Sequence, residues 1–126
     1  MQTSKILAVT SVVEVGTGVA LMVAPAFVVG LLLGVEVPGD LMALGRVAGV
    51  ALLALGLACW PGGRGAANGS PAYRAMLIYN ALIALYFAYL GAVAHLGGVL
   101  LWPAAVLHAA VAVLLIGTAR SERPAR

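Results

Sequence analysis

The sequence predicts an all-α fold: a four-helix transmembrane bundle with both termini in the cytoplasm and a short apolar helix or re-entrant segment after the first spanning helix. Of its 126 residues, 63% are hydrophobic and 9% are charged, whereas a soluble domain carries about 25% charged residues. The mean hydropathy is +1.10. So few charged side chains cannot cover the surface of a chain this short, and we therefore expect the surrounding solvent to be lipid. This composition excludes a soluble enzyme and a disordered chain.

Four segments are long and apolar enough to cross a bilayer, since a spanning helix needs about 20 predominantly apolar residues. They cover residues 6–24, 41–60, 73–94 and 99–119. Together they predict a single integral membrane domain over residues 1–126. A glycine-rich loop without hydrophobic periodicity joins the second segment to the third.

A further apolar segment, residues 26–35, follows Pro25 and is too short to cross the membrane. It has no polar face to offer to water, and irregular backbone exposed to lipid is costly. We therefore expect a short helix or re-entrant piece that packs against the bundle at one membrane face.

The charged residues predict the orientation, because basic residues concentrate on the cytoplasmic side of a membrane. Six of the seven basic residues fall on one side of a four-helix topology: Lys5, Arg64, Arg74, Arg120, Arg123 and Arg126. The loops on the other side carry Glu36 and Asp40. We therefore expect a multi-pass protein of the plasma (inner) membrane with both termini in the cytoplasm.

Small residues recur at four-residue spacing in every spanning segment, and this pattern lets helices approach closely in lipid. It occurs at Gly16, Ala20 and Ala24, at Gly45 and Gly49, at Ala84, Ala88 and Ala92, and at Ala105 and Ala109. The pattern predicts a tightly packed bundle. The single cysteine, Cys59, excludes an internal disulfide and is expected to be an apolar filler near a helix end.

Each spanning segment carries one ionisable or amide side chain in its interior, where such residues are costly and are therefore functional candidates. They are Glu14, Arg46, Asn80 and His108. With Tyr86, they form the predicted site for a ligand or an ion. No catalytic residue, metal site or cofactor is predicted. Haem is disfavoured because His95 and His108 fall at different depths, whereas two axial ligands face each other across the ring.

Glu14 is the sharpest of these signals, because its face of the helix is shared by Thr10, Ser11, Thr17 and Gly18. A polar stripe must face protein or water, since lipid would leave it without hydrogen bonds. One interpretation is a proton or cation site at Glu14. The other is a carboxylate neutralised by Arg46, which would join the first two spanning helices. The two interpretations are compatible.

Arg46 also has more than one interpretation, because it is the one basic residue on the side opposite to the others. Its long side chain can extend to the headgroups. Alternatively, it pairs with Glu14 or binds an anionic ligand.

The third segment offers an amide and a row of tyrosines. Asn80 suits an interhelical hydrogen bond or a ligand contact. Tyr79, Tyr86 and Tyr89 form a stripe along the helix. This stripe either packs with satisfied hydroxyls or lines a cavity for an apolar or cationic ligand.

Two resemblances follow from these motifs. Arg46, Gly49 and Gly56 follow an R-x-x-G…G order that resembles the DoxX-like group of small four-helix bacterial membrane proteins. The stretch from Glu14 to Pro25, E-V-G-T-G-x-x-L-x-x-x-P, is similar to related members of that group. The resemblance covers most of the chain in layout, and it implies an architecture rather than an activity.

The run Glu14-Val15-x-Thr17 is similar to the first helix of the small multidrug resistance exporters, which also have four helices and an essential membrane glutamate. This resemblance is confined to one helix. The third segment has Tyr79-Asn80 and spaced alanines where those exporters carry a tryptophan and a glycine-rich packing motif.

From these features we expect a non-enzymatic membrane protein that binds a small amphipathic molecule or ion at its intramembrane polar cluster, with transport of that molecule as an extension of the role. An accessory or structural subunit of a larger membrane complex is the alternative. A membrane enzyme ranks third among the hypotheses, because the sequence contains no motif that sets a nucleophile beside a base. Expected partners are the lipid bilayer, a small-molecule ligand, and a second copy or another membrane protein. Nucleic acid is not expected, since the basic residues form no single patch.

Overall fold

The computed structural model describes residues 2–62 and 67–121, and within these ranges the chain is all-α. The helices are α1 Gln2–Val23, α2 Pro25–Leu33, α3 Met42–Ala58, α4 Pro71–Ala92 and α5 Leu101–Ser121. A 3₁₀ turn over Gly39–Leu41 leads into α3. Four of these helices (α1, α3 with its turn, α4 and α5) are long and apolar enough to span a membrane. The predicted all-α fold with four spanning helices and a short apolar helix after the first is confirmed, and this is the architecture of a multi-pass integral membrane protein.

The apolar segment after the first spanning helix is itself a helix, α2. The chain leaves α1 at Ala24, whose φ of −138° and ψ of 63° are not helical. Pro25 opens α2 at a position where its missing N–H has no partner to lose. Gly34 ends α2 with a φ of +70°, a left-handed conformation that favours glycine.

Glycines on α1 and α3 let the backbones of these two helices approach each other closely. A Cβ added to Gly18 would lie 2.6 Å from the Leu53 nitrogen and 2.7 Å from the Gly49 oxygen. A Cβ added to Gly56 would lie 2.9 Å from the Ser11 carbonyl oxygen. We call the contact formed by Gly18, Gly49 and Gly56 the glycine interface. Of the predicted pair in α3, Gly49 packs against α1, whereas a Cβ added to Gly45 would meet Pro25 of α2.

The small-residue stripe of α1 has a different role from the predicted one. A Cβ added to Gly16 would meet nothing within 4 Å. Gly16, Ala20 and Ala24 instead line an open cavity. The glycine of α1 that contacts α3 is Gly18.

Helix α2 is tied to the loop between α4 and α5 by backbone hydrogen bonds of 2.9–3.1 Å. The amides of Gly97, Gly98 and Leu100 donate to the carbonyls of Leu33, Leu32 and Leu31, respectively. These bonds satisfy carbonyls at the end of α2 that have no partner within the helix. Gly98 approaches so closely that a Cβ there would overlap the Leu31 carbonyl. The end of the bundle near α2 is therefore closed by backbone contacts.

Polar side chains close the opposite end. Thr3 Oγ1 donates to Asn68 Oδ1 over 2.8 Å, and Asn68 Nδ2 donates to the Thr118 carbonyl over 3.2 Å. These bonds join α1, the α3–α4 loop and α5. Beside them, Tyr73 is buried and its hydroxyl donates to the Leu115 carbonyl over 2.8 Å.

The apolar core lies in the same half of the bundle as these polar contacts. It consists of Leu7, Cys59, Tyr73, Met76, Val111 and Leu115. Cys59 is buried there as a filler. The half near α2 has no comparable core among the described residues and holds a cavity instead.

Candidate functional site

A cavity of about 900 Å³ lies between α1, α2, α4 and α5, with one side of α3 at its edge. It exists because the helices pack as two close pairs, α1 with α3 and α4 with α5, and α1 meets α4 and α5 over a much smaller area. Its walls are mainly aliphatic and aromatic, as at Val28, Leu32 and Phe87. Phe27 and Leu107 also line it and are 67% and 43% exposed, so the cavity opens at the outer surface of the bundle.

Glu14 forms the polar part of this cavity. The side chain is 1% exposed although it stands in the middle of a spanning helix. The Tyr79 hydroxyl donates a hydrogen bond of 3.0 Å to Oε2. The other oxygen, Oε1, accepts no hydrogen bond from any residue that the structure describes. A buried oxygen without a donor is costly, so Oε1 is an unsatisfied acceptor at the wall of the cavity.

His108 faces Glu14 from α5. Its Nδ1 lies 4.0 Å from Glu14 Oε1 and 2.7 Å from Asn80 Oδ1. The Asn80 side chain is fully buried, and its Nδ2 donates to the Met76 carbonyl over 2.8 Å. Glu14, Tyr79, Asn80 and His108 thus form one cluster from three helices, which we call the acid–histidine cluster.

Aromatic rings hold the imidazole in place. The Tyr79 ring meets it edge to face, with the ring centroids 5.7 Å apart. The Phe87 ring meets it in the same way at 6.0 Å. Such edge-to-face pairs contribute about 0.5–1.5 kcal/mol beyond the area that they bury. The His108 ring is therefore fixed by packing as well as by hydrogen bonds.

The predicted pair of Glu14 with Arg46 is wrong. Arg46 is exposed, and its Nε donates to the Met22 carbonyl over 3.3 Å. Met22 lies two helical turns beyond Glu14, about 12 Å along α1 at 1.5 Å per residue. The antiparallel glycine interface fixes this register, because it sets Gly49 against Gly18 and thereby brings Arg46 to the end of α1.

Tyr86 also lies outside the cluster. It is 56% exposed and stacks on Tyr89, with the ring planes 16° apart. The tyrosine that reaches Glu14 is Tyr79, two turns earlier on α4. Both residues belong to the stripe visible in the sequence, so the stripe alone did not distinguish them. The structure therefore brings together Glu14, Asn80 and His108, and it leaves Tyr86 and Arg46 at the surface.

The cluster brings together side chains that can titrate and side chains that can form hydrogen bonds. It contains a carboxyl group, a phenol, an amide and an imidazole within contact of one another. An ionised Glu14 in this apolar setting requires a nearby positive charge or donor, since isolated charges in a membrane are costly. The described residues contain no group of three or more His, Cys, Asp or Glu side chains placed to hold a metal ion.

No protein-family model, curated protein or solved structure matches this chain. The cavity and the acid–histidine cluster are therefore the features that bear on its function.

Proposed function

We propose that this integral membrane protein binds a small amphipathic molecule in the cavity, with the polar head at the acid–histidine cluster and the apolar body among α1, α2 and α5. The observation that carries the proposal is the unpartnered, buried Oε1 of Glu14 beside an apolar cavity of about 900 Å³. Sites for small molecules are commonly apolar concavities with a few convergent polar groups.

The two chemistries of the cavity favour an amphipathic ligand over a free ion. Most of the wall consists of apolar side chains, such as Val29, Leu31 and Ile83. An ion that occupied this space would lose its hydration without finding enough ligands. A molecule with a short polar head places that head at the acid–histidine cluster and fills the remaining volume with hydrocarbon.

The exposed residues of the cavity indicate the entry route. Val23 and Phe27 line it and are 75% and 67% exposed on the side of the bundle that faces lipid. The ligand therefore enters from the membrane rather than through the end near Thr3, which Asn68 and Thr118 close. Transport across the membrane, the extension of this proposal, requires those end contacts to open.

Photolabelling in nanodiscs tests the proposal. The probe is dodecanol with a diazirine on its chain, and mass spectrometry maps the labelled peptides. We expect label on the cavity faces of α2 and α5. Ala104→Phe fills the cavity and should lower this labelling about tenfold. A tenfold loss corresponds to about 1.4 kcal/mol of binding free energy.

Ala110→Phe is the matched control, because Ala110 is exposed on the same helix and does not line the cavity. It should leave the labelling of α2 and α5 unchanged. Equal labelling in the wild type and both variants, or label spread evenly over the lipid-facing surface, would show that the cavity binds nothing and would overturn the proposal.

A further inference from the structure

The hydrogen bonds of Asn80 determine which nitrogen of His108 carries a proton. The amide nitrogen Nδ2 donates to the Met76 carbonyl over 2.8 Å. A carbonyl only accepts, so this contact fixes the orientation of the amide and turns Oδ1 toward α5. Oδ1 lies 2.7 Å from His108 Nδ1. Because Oδ1 also only accepts, Nδ1 must be the donor.

We propose that Asn80 holds neutral His108 in the Nδ1–H form, and that the cavity consequently selects amphipathic molecules whose head group donates a hydrogen bond. Hydroxyl and N–H heads belong to this class, whereas ether, ester and ketone heads do not. This inference depends on the proposed function, because it names the class of molecule that the same cavity binds.

The second nitrogen of the ring, Nε2, is the one that the cavity offers. With the proton on Nδ1, Nε2 carries a lone pair. The fully buried polar side-chain atoms without a partner, among the described residues, are Ser11 Oγ and Glu14 Oε1. Nε2 bonds to no described residue and is not one of them, so it keeps access to open space. His108 lines the cavity and Asn80 does not, which places that space on the cavity side.

Glu14 and Tyr79 offer the ligand no competing donor. The proton of Tyr79 is already donated to Oε2, so the phenol has no second proton for a ligand. Glu14 Oε1 lies 4.0 Å from His108 Nδ1 and is fully buried, so Nε2 is the group of the cluster that the cavity exposes. A head group that offers only lone pairs would therefore meet a lone pair at Nε2. A head group that donates satisfies this lone pair.

Asn80 also has a purely structural interpretation, as a hydrogen-bonded link between α4 and α5. That role requires the contact between the two side chains but makes no demand on ligands. The position of the imidazole proton and the choice between two matched ligands separate the two roles. A loss of stability in an Asn80 variant does not separate the two roles, since both roles require the contact between the two side chains.

The first experiment is ¹⁵N nuclear magnetic resonance of the imidazole nitrogens in nanodiscs at about pH 8.5, where an ordinary imidazole is neutral. The chain has two histidines. His95→Asn leaves His108 alone, and Asn suits the left-handed φ of 53° at position 95. We expect a protonated Nδ1 and an unprotonated Nε2.

Two substitutions at position 80 sharpen this measurement. Asn80→Leu removes the acceptor and should move the proton toward Nε2, while Asn80→Asp supplies an acceptor and should restore Nδ1–H. Protonation of Nε2 in the His95→Asn protein, with Asn80 unchanged, would overturn the proposal.

The second experiment compares 1-dodecanol with 1-methoxydodecane, its methyl ether, as competitors of the dodecanol photoprobe. The alcohol should displace the probe at a concentration at least tenfold lower than the ether, and it alone should shift the Nε2 resonance. If both compete equally while labelling still depends on Ala104, donor selection is wrong and the proposed function stands. If neither the probe nor the competitors bind in a manner that Ala104→Phe blocks, the proposed function itself fails.

Discussion

The two faces of α1 meet the rest of the molecule in opposite ways. Toward α3, Gly18 and Gly49 bring the backbones so close that no Cβ fits between them. Toward α4 and α5, the contact area is small and a cavity of about 900 Å³ separates the helices. The first face is closed by main-chain contact and the second is bridged by side chains of the acid–histidine cluster.

This difference shows how one helix can be both a fixed support and a wall of a cavity. The glycine interface sets the rotation and the register of α1. That rotation turns Glu14 away from Arg46 and toward Tyr79 and His108. Substitutions in the glycine interface should therefore reduce stability, and substitutions in the cluster should mainly alter binding.

The largest effect is expected at Gly18. Gly18→Ala places a methyl group 2.6 Å from the Leu53 nitrogen, and neither backbone can withdraw without separating α1 from α3. We expect a loss of about 3 kcal/mol in the free energy of unfolding, at the upper end of the usual range for overpacking. Unfolding by denaturing detergent titration measures this.

Gly16→Ala is the control on the same helix, because a Cβ at Gly16 meets nothing within 4 Å. Alanine favours a helix over glycine by about 0.5–1 kcal/mol, so this variant should be as stable as the wild type or more so. Equal destabilisation by both substitutions would show that the two faces of α1 do not differ.

The next effect concerns the attachment of α2, which covers the cavity. Gly98→Ala forces a methyl group into the Leu31 carbonyl. We expect a cost of about 2 kcal/mol, within the usual range for overpacking, and faster hydrogen exchange at the amides of Gly97 and Leu100, which bond to the end of α2. Gly39→Ala, in open space before α3, should change neither quantity. Unchanged exchange in Gly98→Ala would show that these bonds do not hold α2.

A smaller effect is expected at Tyr79. Tyr79→Phe removes the donor to Glu14 Oε2 and leaves a buried carboxyl group without that bond, which costs about 1–2 kcal/mol. Binding of the dodecanol probe should also weaken, because Glu14 loses its fixed position. Tyr86→Phe, at an exposed ring on the same helix, is the control and should preserve both stability and binding. A larger effect of Tyr86→Phe than of Tyr79→Phe would show that Tyr86 belongs to the site.

The sequence predicted the helices more fully than the site. Hydropathy predicted the four spans, and the proline at position 25 predicted where the first of them ends. The polar stripe on the face of Glu14 indicated that this face looks inward, because lipid offers no hydrogen bonds. These inferences need only local composition and helical periodicity.

Local composition and helical periodicity could not predict the partner of Glu14. Depth counted along each helix favoured Arg46, but a partner is selected by helix rotation, which the closest backbone contact decides. The four-residue spacing favoured Gly16 for that contact, whereas Gly18 makes it. The sequence did not predict the cavity either, since the cavity results from the sparse contact of α1 with α4 and α5.

The smallest effect is expected at Arg46. Arg46→Gln removes an exposed bond to the Met22 carbonyl and should cost less than about 1 kcal/mol. In a double-mutant cycle, Arg46→Gln and Glu14→Gln should add within about 0.5 kcal/mol, as separated residues do. Tyr79→Phe with Glu14→Gln is the comparison cycle and should show a larger coupling. Strong coupling of Glu14 to Arg46 instead would contradict the arrangement described above.

Glu14 belongs to the cavity side of α1 and meets His108. Solid-state dipolar recoupling in lipid bilayers measures this contact directly, between ¹³C-carboxyl glutamate and ¹⁵N-histidine in the His95→Asn variant. Glu14 Oε1 lies 4.0 Å from His108 Nδ1, so one glutamate carboxyl should be strongly dephased by the imidazole. In a sample with ¹⁵N-arginine, the same carboxyl should be unaffected. Dephasing by arginine and not by histidine would show that Glu14 faces Arg46 instead.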